Sequence, residues 1–340
     1  MFFNKTKSQF NMGVMSLETN NGVKYKRYSL LDGTSQLLVK QVRDGSIIKR
    51  FDRTPLPKGL NDVVCPHFLE LKWAYGCPFN CAWCYLKGTL RFLPTKTCPI
   101  IKNYKKIESH LDAFFNETVN NGYPKEILNS GEIADSLMYE NNGHPFSNFI
   151  LNIFDTQNKH KVLFLTKSIW IKNLLKLKTN GSPIISFSLN ASYVSGKWEK
   201  RAPPIRKRIN AAKQLWEVGY VVRIRIDPMV PIRNWKSHYR NLVDKIFSSF
   251  EPERITIGSL RGLQSTINNV MDKSWVNYLS EKSNWGKRMD FLTRFSMYTN
   301  IISYLKENYD FKKVALCKET IGMWNKLGKN YEKIRCNCTW

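Results

Sequence analysis

Between residues 68 and 260 short apolar runs alternate with segments of helical period. The runs "FLELKWA" (68–74), "EILNSG" (126–131), "KVLFLTKS" (161–168), "PIISFSLN" (183–190), "YVVRIRIDPM" (220–229) and "RITIGSL" (254–260) predict strands. Between them "YKKIESHLDAFFNE" (104–117), "SNFILNIFDT" (147–156), "IWIKNLLKL" (169–177), "PIRKRINAAKQLWEVG" (204–219) and "HYRNLVDKIFSSF" (238–250) predict helices. In the fourth of these, Ile205, Ile209, Ala212 and Trp216 share one face, and Gly219 marks the stop. Continuous apolar strands separated by helices indicate a parallel sheet covered on both faces. The expectation is an α/β fold, a partial (β/α)6 barrel of TIM type, closed or partly closed, with its chemistry at the C-terminal strand ends.

The flanks read differently. Residues 1–64 form an N-terminal extension in which "SQLLVKQV" (35–42) and "GSIIKRF" (45–51) predict strands of a small sheet or a wrapping arm. "RTPLPKG" (53–59) is a turn-rich connector into the core, residues 65–265. Residues 266–340 predict a mainly helical C-terminal extension that ends in the Cys-rich "IRCNCTW".

Composition narrows the class. A chain of 340 residues, 42% of them hydrophobic, buries enough surface to need no staples. No apolar run is long enough to cross a membrane, and "MFFNKTKSQFNMG" lacks the apolar core of a signal peptide. A cytoplasmic location is expected, where clustered cysteines hold metal more readily than they form disulfides. The 53 Lys and Arg against 27 Asp and Glu give a net charge of +26. Such an excess draws polyanions, so DNA or RNA is the expected partner. A bias toward Lys, Asn, Ile, Phe and Tyr is the compositional alternative. Neither terminus carries a basic amphipathic helix, so no membrane partner is expected. Nothing in the sequence fixes the oligomeric state.

The chemistry concentrates in "YGCPFNCAWCYLKG" (75–88), where Cys77, Cys81 and Cys84 follow the first predicted core strand. Thiolates are the usual ligands of iron–sulfur clusters. Three cysteines can hold three irons of a [4Fe–4S] cluster and leave the fourth iron open to a small molecule. The alternatives are a zinc site completed by Cys65 or Cys98, or plain buried cysteines. The spacing Cys-x3-Cys-x-aromatic-Cys, with Trp83 as the aromatic, resembles the signature of the radical S-adenosylmethionine enzymes. That resemblance implies chelation of the open iron by S-adenosylmethionine, reductive cleavage to a 5′-deoxyadenosyl radical, and a one-electron reductant such as flavodoxin or ferredoxin.

From Leu69 to Gly262 the chain is similar to the spore photoproduct lyase family. Tyr85 follows the last cysteine, "LFLTKS" (163–168) ends in Thr-Lys, and "SFSLNA" (186–191) holds a Ser-x-Asn strand. Glu199, Pro203 or Pro204, Arg208, Ala212 and Gly219-Tyr220 continue the family pattern, and "DPMVPIRNWKSHYRNLV" (227–243) closes it. The resemblance implies cofactor contacts through Trp83, Tyr85, Gly131, Glu132, Lys167, Ser188 and Asn190, with Lys167 on the S-adenosylmethionine carboxylate. Gly131 and Glu132 in "NSGEIADS" (129–136) also suit a close backbone approach and an ammonium partner; a loop with ordinary surface acids is the alternative. Lys167 has the alternative of a solvated lysine at a helix start. One departure stands out. The family has Cys-Thr-Ser-Asp near this strand end, its cysteine returning a hydrogen atom to the product radical, and here Glu132 takes that cysteine's place. The donor is therefore absent or supplied elsewhere.

Cys317, Cys336 and Cys338, with Cys65, form a candidate second site for an iron–sulfur cluster or zinc, against unliganded buried cysteines and radical transfer by a tail thiol. Lys200, Arg201, Arg206, Lys207 and Arg208 in "EKRAPPIRKR" (199–208) are candidate phosphate contacts or a solvated helix start. Three readings follow: a radical S-adenosylmethionine enzyme acting on a nucleic acid by lesion repair or base modification, the same chemistry on a peptide or small metabolite, or a non-catalytic zinc or iron–sulfur nucleic-acid-binding protein.

Overall fold

A computed structural model describes residues 16–19 and 21–340; the opening "MFFNKTKSQFNMG" lies outside the described residues. The main sheet has eleven strands, which lie side by side in chain order. Strands β1 (Ser16–Glu18), β2 (Val23–Ser29), β3 (Ser35–Val42) and β4 (Ile48–Phe51) form an antiparallel meander. Then come β5 (Phe68–Leu71), β6 (Ile127–Asn129), β7 (Lys161–Thr166), β8 (Pro183–Leu189), β9 (Val221–Met229), β10 (Ile255–Ser259) and β11 (Val314–Leu316), all mutually parallel. The N-terminal extension therefore continues the core sheet through the β4–β5 pairing.

Every residue of β8 is buried, as a strand covered on both faces requires. Helices α1 (Tyr104–Thr118), α2 (Phe146–Phe154), α3 (Ile205–Glu217), α4 (Trp235–Phe247) and α5 (Phe291–Tyr309) supply the cover. In α1 the Asn103 side chain caps the Lys106 N–H at 3.3 Å, and Ile107, Leu111, Phe114 and Phe115 form the buried stripe.

Four expectations are corrected. Of the expected partial barrel, closed or partly closed, the closed form is set aside: no ladder among the described residues joins the two ends of the sheet, and the fold is a mixed α/β one with a large, mainly parallel sheet. Instead a short antiparallel clasp joins Val63–Val64, before β5, to Glu319–Thr320, after β11. The expected helix at 169–177 is only one 3-10 turn, Leu174–Lys176. Neighbours take its polar groups: Tyr220 Oη donates to Leu174 O at 2.7 Å, and the Asn173 amide donates to Glu140 O at 2.6 Å. Trp216 is 43% exposed, because it sits in the last turn of α3 and rests on Phe250, while Arg208 and Leu215 turn inward. The C-terminal segment has one long helix, α5, but also contributes β11 and a hairpin of Glu281–Ser283 with Gly286–Arg288. No helix among the described residues is long and apolar enough to cross a membrane.

Candidate active site

At the C-terminal ends of the parallel strands lies a cavity of about 540 Å³. The loop after β5 builds one wall. Gly76 turns that loop with φ +80°, and a Cβ there would strike the backbone carbonyls of Thr97 and Cys98, so only glycine fits. The Cys77 N–H donates to Thr97 O at 2.9 Å. Cys81 pairs with Glu199 in a two-residue ladder, and the Ala82 N–H donates to Trp198 O at 2.7 Å. Cys84 lies just before the short helix Leu86–Thr89, and its carbonyl accepts from Lys87 N at 3.1 Å. All three thiols line the cavity. Burial pushes each of them above the ordinary thiol range, Cys81 up to about 12.

Lys167 directly follows β7 and reaches into the same space. Asp135 fixes the strand end: its carboxylate accepts from Thr166 Oγ1 at 2.7 Å, Lys167 N at 2.7 Å and Leu137 N at 3.0 Å. Burial opposes a charge on Lys167, but its anionic surroundings, the Glu199 carboxylate first among them, more than offset it, so its pKa is raised. Lys167 Nζ stands 3.8 Å from Glu199 Oε1, too far for a hydrogen bond, and that buried oxygen has no other partner. Glu199 Oε2 is fully engaged: Arg208 Nη1 donates at 2.7 Å and Ser195 Oγ at 3.0 Å. Burial would push Glu199 up, and Lys167 with Arg208 reverses this and lowers it.

Gly131 and Glu132 follow β6 and line the cavity. A Cβ on Gly131 would lie 2.5 Å from Leu165 Cβ, so a glycine is required for the loop to lie against β7. The Tyr85 hydroxyl donates to the Glu132 carbonyl and ties the cysteine loop to this turn. Trp83 lines the cavity and leans on Trp198, ring centroids 5.7 Å apart. Ser188 lines it from β8. Asn190 does not: its amide is engaged by Pro228 O, Ala191 N and Tyr239 Oη at 2.8, 2.9 and 3.0 Å.

The basic segment divides. Lys200, Arg201, Arg206 and Lys207 are not buried and stand toward solvent, Arg201 and Lys207 included. Arg208 is fully buried and bonded to Glu199, Ser188 O and Pro203 O, so it is a structural cation and not a surface phosphate contact. The four further cysteines, Cys65, Cys317, Cys336 and Cys338, line the same cavity, whereas Cys98 is exposed. Among the described residues no three His, Cys, Asp or Glu side chains converge on one metal ion. The expected second metal centre is thus unsupported: Cys317 Sγ accepts from Arg225 Nη2 at 3.0 Å, and Cys338 Sγ accepts from Asn129 Nδ2 at 3.7 Å.

Sequence reasoning missed the charged floor. Arg261 clamps Asp227 through two hydrogen bonds of 2.8 and 2.9 Å, beside Arg225. The signal was present: Arg223, Arg225 and Asp227 alternate in β9, which puts all three on one face of the strand. Burial raises the Asp227 pKa, but Arg261 outweighs it and holds the group at about 2 against an ordinary 3.8. The contribution to stability, about 2 kcal/mol, is full above the ordinary value and fades as pH falls through the folded one. The urea midpoint is expected to fall between pH 5 and pH 2 in the native protein and to lose this part of its pH dependence in Asp227→Asn. An identical acid profile in the two proteins would refute the assignment.

An α/β sheet that presents a Cys-x3-Cys-x2-Cys loop, a lysine and a Gly-Glu turn on one cavity defines a protein of the radical S-adenosylmethionine class. More narrowly, the chain belongs to the spore photoproduct lyase family, whose model matches residues 69–259, more than half of the chain. Spore photoproduct lyase of Bacillus subtilis (strain 168) is 27% identical over 176 residues, 52% of this chain and 50% of that protein. The Clostridium acetobutylicum protein of the same name is 26% identical over 180 residues, 52% of this chain and 51% of its own. The chain therefore matches about half the length of these curated relatives. A spore photoproduct lyase complexed with dinucleoside spore photoproduct has a similar fold, with TM-score 0.61 at 16% identity over 73% of this chain and 75% of that one. A variant with bound AdoMet and dinucleoside spore photoproduct gives TM-score 0.59 at 15% identity, covering 74% of this chain and 75% of that chain.

Proposed function

We propose that this chain binds a [4Fe–4S] cluster and S-adenosylmethionine and repairs or modifies a nucleic acid by radical chemistry, a DNA lesion of the spore-photoproduct kind being the leading substrate. The observation that carries this reading is the meeting of Cys77, Cys81, Cys84, Lys167 and Glu132 around one cavity. The residues fit the cofactors. The three thiols line one cavity, and thiolates are the usual ligands of iron–sulfur clusters. Lys167 Nζ stands 3.8 Å from Glu199 without a hydrogen bond to it, so its N–H donors remain for a carboxylate, and Glu132 can receive an ammonium. When bound and reduced by a flavodoxin- or ferredoxin-type donor, the cluster supplies the electron that breaks the sulfonium C–S bond and so generates a carbon radical able to abstract hydrogen.

The chain's own residues hold, orient and enclose. Asp135 fixes Lys167 through its backbone, and Glu199 keeps the lysine charged. Phe51 and Trp285 give the cavity an aromatic flank, with Lys318 Nζ 4.4 and 4.1 Å from their ring centroids. That flank suits a base with its phosphate near Lys318 and Arg53. In this reading residues 65–265 carry the cofactor chemistry, and segments 1–64 and 266–340 complete the walls.

Anaerobic reconstitution tests the proposal: iron with matching sulfide, and 5′-deoxyadenosine made with reductant and a dinucleoside spore photoproduct, are expected. Protein that takes up only zinc and leaves S-adenosylmethionine intact would overturn it. A second measurement addresses the surface. Charge reversal at Lys200, Arg201, Arg206 and Lys207 should weaken duplex binding and flatten its log–log salt slope by about 0.9 for each phosphate no longer neutralised. An unchanged slope would remove these four residues from the interface.

A further inference from the structure

The C-terminal segment is built into the sheet. Asn337 is 1% exposed, and every polar atom of its side chain is used. Its Nδ2 donates to Ser186 Oγ at 2.7 Å and Ile224 O at 3.1 Å, and its Oδ1 accepts from Thr256 Oγ1 at 2.7 Å. Arg223 Nη1 donates to the carbonyls of Asn337 and Thr339 at 2.8 and 2.9 Å. Arg254 Nη1 donates to those of Cys336, Thr339 and Trp340 at 3.2 to 3.3 Å. A Thr339 N–H bond to Cys336 O at 3.2 Å closes a turn. The segment is a plug anchored to β8, β9 and β10. Cys336 and Cys338 flank its buried asparagine, and both line the cavity.

Asn129, at the end of β6, connects this plug to the site. Its Oδ1 holds the Gly131 N–H at 2.9 Å, and its Nδ2 donates to Cys338 Sγ at 3.7 Å. Cys338 thus stands beside the turn that bears Gly131 and Glu132. That strand end has no cysteine of its own, and the plug brings one to it from 209 residues away in sequence.

We infer that Cys338 gives a hydrogen atom to a carbon radical formed on the substrate in this cavity, an assignment that rests on the radical reading above. The S–H bond is weaker than an aliphatic C–H bond, so the transfer runs downhill. The Cys338 S–H bond breaks, the substrate C–H bond forms, and a thiyl radical remains on sulfur. One electron from the low-potential donor that the enzyme requires, with one proton from water, restores the thiol. The other free thiols of the cavity suit the role less: Cys65 Sγ donates its own hydrogen to Pro66 O at 3.6 Å. Cys317 Sγ is engaged by Arg225 and Arg261 at 3.0 and 3.5 Å. Cys336 is tied down through its backbone carbonyl, which accepts from Arg254 Nη1 at 3.2 Å and Thr339 N at 3.2 Å, whereas the Cys338 thiol itself meets Asn129 beside the turn.

The test is turnover of a dinucleoside spore photoproduct in D2O, where thiols exchange and carbon-bound hydrogens do not. The native product is expected to carry solvent deuterium. Cys338→Ala and Cys338→Ser should lose that label while still forming 5′-deoxyadenosine, and Cys98→Ala should keep it. Serine preserves the size and polarity of the site, so a fold defect in the alanine variant cannot mimic the result. Solvent deuterium retained in Cys338→Ser, or missing from the native product, would overturn the donor and leave the radical reading intact. A cluster-loaded native protein that forms no 5′-deoxyadenosine would sink both. A readout without turnover uses the metal-free protein and methyl methanethiolsulfonate, followed by peptide mass spectrometry. Cys338 should be modified in the folded protein, more slowly when the dinucleoside is present; a Cys338 inert until unfolding would also overturn the assignment.

Discussion

Alanine in place of Cys77, Cys81 or Cys84 is expected to abolish formation of 5′-deoxyadenosine in anaerobically reconstituted protein. The three thiols come from one loop, share one cavity and have no fourth cysteine beside them in sequence to substitute. Groups that act as a unit lose nearly everything when one is removed. Iron and sulfide content should fall in parallel, measured colorimetrically on the same samples. The fold should survive, because the main sheet does not depend on these side chains: Cys77 and Cys84 are only partly buried, and Cys81 sits in a separate two-residue ladder. Unchanged circular dichroism with lost iron is the expected pair of results. A variant that keeps its iron and its 5′-deoxyadenosine would show that the tripod is not the ligand set.

Glu199→Ala is expected to act on stability and on cofactor binding together. Glu199 and Arg208 are both fully buried at 2.7 Å, so the truncation strands a guanidinium in the interior. Breaking such a buried pair costs about 3–5 kcal/mol. The urea midpoint should drop accordingly at neutral pH. Lys167 also loses the carboxylate that sustains its charge, so S-adenosylmethionine affinity, measured by equilibrium dialysis on the cluster-loaded protein, should weaken. Glu199→Gln keeps the shape and part of the hydrogen bonding, so it should recover stability more than affinity. A midpoint equal to the native one in Glu199→Ala would mean that Arg208 finds another partner and that the pair does not hold this part of the fold.

The strands were the most legible part of the sequence. A parallel strand covered on both faces is a continuous apolar run, and β7, β8 and β10 stand out against their polar helices for that reason. The tripod was legible because its three ligands lie on one short loop. Closure was not, since periodicity describes each strand but not the angle between neighbours. The 169–177 segment has helical spacing, yet Tyr220 and Glu140 claim its polar groups from elsewhere in the chain. Arg208 looked like a surface cation because its neighbours Arg206 and Lys207 are; only the fold brings Glu199 beneath it. Val314–Leu316 is too short to announce itself as a strand, and Asn337 has no local signal at all: its partners lie 81 to 151 positions away.

The strands' arrangement in chain order bears on how the protein matures. Each parallel strand can dock on its predecessor as the polypeptide emerges from the ribosome, so the sheet grows from one edge. The clasp at Glu319–Thr320 and the plug at Asn337 arrive last. Until they do, the cysteine loop faces an unfinished vestibule, through which the iron and sulfide of the proposed cluster would pass most freely.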